Sequence, residues 1–320
     1  MEEQKQSKFV GVDNPQIETK RIGIFFIVTF VISWVVEFGA IIPMFNSAET
    51  EYVQNAVSMI SSMMFAPAFG ALIARLLTKE GLVHSGFQFN FSQFKFHFLF
   101  GWFGMTVLSF IGALIYFLFF RSNYDPNMTN FVANYMGEET DAVQVIAAYK
   151  TDLLVKLFTA PVLDIINSFG EEWGWRAYLL PKLYRKFGTV KAVLISGFIS
   201  GLWYAPLVTI GYFYGVDYPG EPFTGILAMC IYGTVTGIIY AALALRTGSI
   251  FPAVFAHSSM SVMMSQAANF TFDGGNYFIG PAPTGIIAGI PLIVAAVLFM
   301  RDLIKNPVKS SAENKEDGNK

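Results

Sequence analysis

Eight long apolar stretches, separated by polar segments, dominate the pattern of the chain. A helix needs roughly 20 residues to cross the ~30 Å hydrocarbon core of a bilayer, and each stretch has about that length. The pattern therefore predicts an all-α, polytopic membrane protein with about eight transmembrane helices. The predicted spans are residues 22–45, 54–78, 96–120, 146–170, 188–210, 223–245, 248–269 and 281–301.

The composition supports this fold class. Hydrophobic residues make up 54% and charged residues 14% of the 320 positions, whereas about a quarter of an ordinary soluble domain is charged. A soluble fold could not bury so much apolar surface, so the lipid bilayer is a predicted partner. The net charge of -2 and the lack of a basic patch give no reason to expect a nucleic-acid partner. Cys230 is the single cysteine, which excludes an intrachain disulfide.

Lysine and arginine collect in alternate loops, which indicates the orientation of the chain. They precede the first span, lie between the second and third, follow the fourth, separate the sixth and seventh, and follow the last. Because cytoplasmic loops are enriched in Lys and Arg, both termini are predicted to be cytoplasmic, which requires an even number of spans. The external loop before the fourth span is acidic and contains Asp125, Glu138, Glu139 and Asp141.

The densest group of ionisable residues is Gly-Glu-Glu-Trp-Gly-Trp-Arg, which ends the fourth span and contains Glu171, Glu172 and Arg176. Such residues are candidates for function because each costs several kcal/mol beside lipid unless it is paired or hydrated. In a helix Glu172 and Arg176 share a face, whereas Glu171 points about 100° away. This spacing predicts that Glu172 pairs with Arg176 and that Glu171 faces a cavity. The alternative is that all three side chains reach the interface and only anchor the helix end.

Two further segments carry candidate chemistry. His257 lies among small and apolar residues of the seventh span, with Ser261 one turn away. It is a candidate general base, water-orienting donor or metal ligand, and the alternative is a histidine that only bonds to a neighbouring helix. Trp203 and Tyr204 lie before Pro206 in the fifth span. Their simplest interpretation is an aromatic belt ahead of a proline kink, although Tyr204 could donate a hydrogen bond into a cavity.

Taken in order, these segments resemble the motifs of the CAAX protease and bacteriocin-processing family of intramembrane proteases, also called the Abi family. That family has a Glu-Glu-x-x-x-Arg motif, a second motif that is often Trp-His-x-Pro, and a third motif His-x-x-x-Asn. Glu171, Glu172 and Arg176 match the first motif completely, and His257 matches the start of the third. The resemblance covers about residues 145–270.

The resemblance implies roles for these residues. Glu171 would act as general base on a water that attacks a peptide carbonyl, and His257 would orient or activate that water. Tyr204 stands where the second motif has histidine, and Ser261 stands where the third has asparagine. Their hydroxyls could replace the missing groups as hydrogen-bond donors to an oxyanion. Tyr204 is thus the third catalytic candidate, and the structural support of the site would come from Glu172, Arg176, Ser261 and Trp203.

We expect no cofactor. A zinc site needs about three protein ligands, and Glu171 with His257 would leave such a set incomplete. The other histidines, His84 and His97, lie early in the chain near a predicted cytoplasmic loop.

The predicted organisation follows from the spans and the motifs. Residues 1–21 form a cytoplasmic N-terminal segment, 22–144 hold about three transmembrane helices and the acidic external loop, 145–302 form the Abi/CAAX-protease-like core, and 303–320 form a disordered cytoplasmic tail.

Three functions remain open at this stage. The first is an intramembrane endopeptidase, with a cavity open to the cytoplasmic side, that cuts a hydrophobic or lipidated peptide. The second is a catalytically degenerate scaffold or bacteriocin-immunity protein that binds another membrane protein. The third is a transporter, in which Asp164 and Lys156 would mark a pathway. The resemblance implies a multi-pass protein of a bacterial plasma membrane.

Overall fold

The computed structural model describes residues 15–82, 85–135, 141–272 and 276–308, and these residues form helices without a β-strand. The α-helices are α1 (Pro15–Val36), α2 (Ile42–Phe45), α3 (Thr50–Met63), α4 (Ala66–Leu77), α5 (Lys95–Leu99), α6 (Met105–Phe119), α7 (Thr129–Tyr135), α8 (Ala142–Leu163), α9 (Ile165–Glu172), α10 (Leu180–Trp203), α11 (Ala205–Thr209), α12 (Phe223–Thr247), α13 (Phe251–Met263) and α14 (Ile290–Lys305). π-Helical turns at Glu37–Ile41, Phe100–Gly104 and Trp173–Leu179 join α1 to α2, α5 to α6 and α9 to α10.

The all-α, polytopic fold class is confirmed. Within the residues that the structure describes, four helical segments are long and apolar enough to cross a membrane, namely Gln16–Phe45, Thr50–Leu77, Lys95–Phe119 and Phe223–Thr247. A fifth would be the pair Ala142–Leu163 and Ile165–Trp203, which is bent by 42°.

The number of spans differs from the prediction. Length and composition support four or five spans in the described part of the chain, where the apolar pattern predicted about eight. The difference arises partly because α13 and α14 contain 13 and 16 residues, which is shorter than the roughly 20 residues of a full crossing. The count of eight and the sidedness stay predictions. Residues 1–14 and 309–320, His84, Glu138 and Glu139 lie outside the described residues.

Close helix crossings bring the motif-bearing helices together. A Cβ on Gly201 of α10 would lie 2.4 Å from the carbonyl oxygen of Met229 on α12. A Cβ on Gly174 would lie 2.4 Å from Pro67 Cβ at the start of α4. Both crossings therefore require a residue without a side chain, as is common where membrane helices pack closely.

One end of the helix bundle carries a buried network of ion pairs, which we call the basic end. Glu80 lies 3.3 Å from Arg21, 3.6 Å from Arg75 and 2.7 Å from Lys182, measured between carboxylate oxygens and side-chain nitrogens. Arg185 completes the network through a 2.7 Å contact with Glu18. The network joins the start of α1, the end of α4 and the first part of α10, which ends at Gly188, where the backbone leaves helical geometry (φ 73°, ψ 174°) and the helix is kinked. The opposite end carries the loops that follow α2, α6, α11 and α13.

Candidate active site

The two motif glutamates are buried and have different partners. Glu171 and Glu172 end α9, and their exposed fractions are 2% and 0%. Arg176 is also buried, and its Nε lies 3.3 Å from Glu172 Oε2. The contact predicted from the four-residue spacing therefore forms, although the helix changes to π-helical geometry at Trp173.

Glu172 also binds the histidine of the third motif. His257 on α13 places its Nδ1 2.8 Å from Glu172 Oε1. When Nδ1 donates this bond in a neutral imidazole, Nε2 is the acceptor nitrogen. No described residue bonds to Nε2, and His257 lines a cavity. Glu172 thus fixes the ring and leaves one nitrogen available to a ligand.

Glu171 has a partner that the sequence did not predict. The hydroxyl of Tyr204 donates a short hydrogen bond to Glu171 Oε1. Among the described residues nothing bonds to Glu171 Oε2, and Glu171 lines the same cavity as His257. One carboxylate oxygen is therefore held, and the other is available.

Trp203 fixes the end of α10 that carries Tyr204. Its Nε1 donates to Ser33 Oγ at 2.7 Å, and its carbonyl oxygen accepts from Trp34 Nε1 at 3.1 Å. The Trp203 ring also packs edge-on against Tyr204. These contacts anchor Tyr204 to α1, outside the region that carries the motifs.

Sequence reasoning missed Tyr240 on α12. Its ring stacks on His257 with centroids 5.4 Å apart and an interplanar angle of 15°. Arg176 Cζ lies 5.3 Å from the same ring centroid, within cation–π distance. The available signal was the four-residue spacing of Tyr232, Thr236 and Tyr240, which places three hydroxyls on one face of an apolar helix.

The site borders a cavity of about 760 Å³. Of the predicted site residues, Glu171, Arg176, Tyr204, His257 and Ser261 line it, whereas Glu172 and Trp203 lie behind it. Tyr232, Thr236 and Tyr240 add hydroxyl groups to the wall. The structure thus brings the predicted residues together, while their catalytic roles stay predictions.

The charged residues that suggested a transport pathway have local partners. Lys156 Nζ lies 2.6 Å from Asp152 Oδ2. The carboxylate of Asp164 accepts hydrogen bonds from Asn167 and Ser168 at the start of α9. Both charges are therefore paired locally, and the transport hypothesis stays a prediction.

No group of three or more His, Cys, Asp or Glu side chains is placed to hold a metal ion within the residues that the structure describes. Glu171, Glu172 and His257 lie close together, but Glu172 already binds Arg176 and His257. The residues around the site therefore do not fit a metal ion.

Known proteins resemble the part of the chain that carries this site. Residues 153–263 match the family profile described as type II CAAX prenyl endopeptidase Rce1-like. The chain is also 28% identical over 191 residues to the lysostaphin resistance protein A of Staphylococcus haemolyticus (strain JCSC1435), covering 59% of this chain and 49% of that protein. The chain thus spans about half the length of the curated relative it matches. No solved structure matches. The resemblance seen in the motifs is confirmed, because the segment that carries the site, residues 153–263, matches the profile of the Rce1-like type II CAAX prenyl endopeptidases.

Proposed function

We propose that the chain is an intramembrane endopeptidase of the CAAX type, which hydrolyses a peptide bond in a hydrophobic or lipidated peptide. The observation that carries this proposal is that the two adjacent glutamates have different hydrogen-bond partners. Glu172 binds Arg176 and His257, whereas Glu171 has one oxygen free of any described partner in the cavity. A buried carboxylate with an available oxygen is suited to act as general base.

The reaction balances with the residues present. Glu171 Oε2 takes a proton from a water, and the resulting hydroxide attacks the carbonyl carbon of the scissile peptide. His257 Nε2 accepts a hydrogen bond from the same water and orients it. The C–N bond then breaks, and Glu171 returns its proton to the leaving amine. The products are a carboxylic acid and an amine, which exchange one proton to become a carboxylate and an ammonium group, and no external acid is consumed.

Hydroxyl groups of the cavity wall would stabilise the oxyanion by donating hydrogen bonds to it. The single proton of the Tyr204 hydroxyl is donated to Glu171, so in this arrangement Tyr204 holds the base. Ser261 and Tyr240 line the cavity, and no described residue accepts a hydrogen bond from either hydroxyl. A positioned donor of this kind contributes about 10²–10³ to kcat.

The direct test is peptide cleavage by the purified protein in nanodiscs. A panel of fluorogenic peptides with and without a prenyl group should be cut by the wild type and left intact by Glu171→Gln. The exposed Glu51 on α3 offers a matched control, and Glu51→Gln should cleave at the wild-type rate. Cleavage that survives Glu171→Gln would exclude this mechanism. If only Tyr204→His cleaves, the native chain has lost peptidase activity.

A second function is favoured by the two motif departures. With Tyr204 and Ser261 in place of His and Asn, the chain could act as a catalytically degenerate scaffold or immunity protein, and the relative's name refers to lysostaphin resistance. This function predicts that a Glu171→Gln, His257→Gln double variant fully complements a deletion strain. Loss of complementation at normal protein levels would count against it.

A further inference from the structure

The position of the cavity along the helices shows where it opens. On α13 the lining begins at His257, about 9 Å beyond the first residue by helical rise, and continues past the end of the helix to Ser265. Ser200, near the end of α10, is the only described residue of that helix that lines the cavity, and Tyr204, the next residue after the helix, lines it too. The cavity therefore extends from the site toward one end of the bundle.

Two loops form the mouth of the cavity. The loop after α11 contributes Tyr212 and Phe213, and the loop between α13 and α14 contributes Tyr277 and Thr284. Ser265, at the end of α13, also lines the cavity and is exposed. All of these residues lie at the end of the bundle opposite the basic end.

A dense layer closes the other side of the site. Trp175, Tyr178, Leu179 and Leu180 have no exposed surface, and 1% of Trp203 is exposed. This layer leads directly into the ion-pair network, because Lys182 Nζ lies 3.7 Å from the centroid of the Tyr178 ring. None of these five residues lines the cavity.

The basic end is predicted to lie at the cytoplasmic face. Arg21, Arg75, Lys182 and Arg185 cluster there in the structure, and the loops rich in Lys and Arg lie at the same end of the predicted spans. Arg246 at the end of α12 also pairs there with Asp302 at the end of α14. Enrichment of Lys and Arg marks the cytoplasmic side of a membrane protein. The mouth of the cavity is then on the opposite face.

We propose that the site is entered from the extracytoplasmic face and takes apolar peptide segments presented there. This reverses the cytoplasmic opening expected from the sequence. The nature of the ligand rests on the proposed function, whereas the side of entry does not. The mouth combines aromatic rings of tyrosine and phenylalanine with hydroxyl groups of serine and threonine. The rings can contact apolar side chains of a bound segment, and the hydroxyls can form hydrogen bonds with its backbone.

Single cysteines in a Cys230→Ala background test the side of entry. Cys230 is buried, so its removal leaves the new thiol as the sole target. The variants are Ser265→Cys at the mouth, Ser261→Cys in the cavity, and Lys305→Cys at the end of α14 as the matched control on the basic end. Intact cells are treated with the small, charged reagent 2-(trimethylammonium)ethyl methanethiosulfonate, and unreacted thiols are counted after denaturation with a maleimide that shifts the gel band.

We expect Ser265→Cys and Ser261→Cys to react in intact cells, and Lys305→Cys to react only after permeabilisation, because a permanent charge cannot readily cross the hydrocarbon core. The reverse pattern would overturn the proposal. Failure of Ser261→Cys to react while Ser265→Cys reacts would also overturn it, because the cavity would then be closed from outside.

Cleavage by sealed vesicles separates this inference from the proposed function. Right-side-out vesicles should cut an added apolar peptide, and inside-out vesicles should not. If neither kind cuts the peptide but the cysteine pattern holds, the hydrolytic function fails and the external entry stands. If only inside-out vesicles cut it, the external entry fails and the peptidase stands.

Discussion

Glu172 is the residue whose removal should disturb the site most. Its side chain has no exposed surface, and its two oxygens lie 2.8 Å from His257 Nδ1 and 3.3 Å from Arg176 Nε. Replacing it with alanine leaves the buried guanidinium of Arg176 without its partner. Breaking a buried pair from one side costs about 3–5 kcal/mol, so we expect Glu172→Ala to lower the free energy of unfolding by that amount.

Two companion variants separate charge from packing. Glu172→Gln keeps an acceptor for His257 but removes the charge, so its loss should be smaller, about 1–3 kcal/mol. A Glu172→Met, Arg176→Met double variant removes both charges, and we expect it to recover a large part of the stability lost in Glu172→Ala. The recovery would show that the unpaired guanidinium causes the loss.

Equilibrium unfolding in mixed micelles, followed by tryptophan fluorescence, measures these differences. Glu51→Ala on the exposed surface of α3 is the matched control and should change the free energy by less than about 0.5 kcal/mol. If Glu172→Ala unfolds within about 1 kcal/mol of the wild type, the reasoning is refuted, since Arg176 would then have another way to satisfy its charge.

Three further predictions follow from other contacts. Tyr240→Phe keeps the ring stacked on His257 but removes the hydroxyl, so kcat for peptide cleavage should fall about 10²–10³-fold with KM unchanged. An equal fall in Tyr232→Phe would contradict the assignment of Tyr240 as the donor to the oxyanion. Glu37→Leu should raise the free energy of unfolding by about 1–3 kcal/mol, because both carboxylate oxygens are buried without a hydrogen-bond partner among the described residues. A lower free energy of unfolding in the same micelle assay would contradict this prediction. In Gly201→Val even the Cβ would lie 2.4 Å from the carbonyl oxygen of Met229, so the free energy of unfolding should fall by about 1–3 kcal/mol. An unchanged unfolding curve would show that α10 and α12 can separate.

The contacts that the sequence could predict are the local ones. Glu172 and Arg176 lie four residues apart, so helical geometry alone brings them together. The all-α membrane fold followed from the length of the apolar stretches, because hydrocarbon thickness sets helix length. The number of spans was less predictable, since an apolar run records hydrophobicity but not where a helix bends, as it does near Asp164, or ends early, as α13 does at Met263.

Contacts between distant helices needed the structure. His257 and Glu172 are 85 residues apart, and the sequence could not tell which of two adjacent glutamates the histidine would meet. Tyr204 and Glu171 meet because the end of α10 is tied to α1 through Trp203, Ser33 and Trp34, a contact with no local pattern. The direction of the cavity depends on loops, whose positions follow from packing and not from periodicity.

Tyr204, which stands at the position of the second-motif histidine, can position Glu171 but cannot replace the proton exchange of an imidazole. A phenol can donate one hydrogen bond, and here it donates to Glu171, so it holds the base in place. Near neutral pH a phenol cannot exchange a proton as imidazole does. Proton transfer from water therefore falls on Glu171, with His257 as the remaining imidazole in the cavity wall. Under the proposed function we therefore expect slow hydrolysis of a well-bound peptide, because binding must supply the orientation that a second histidine would otherwise provide.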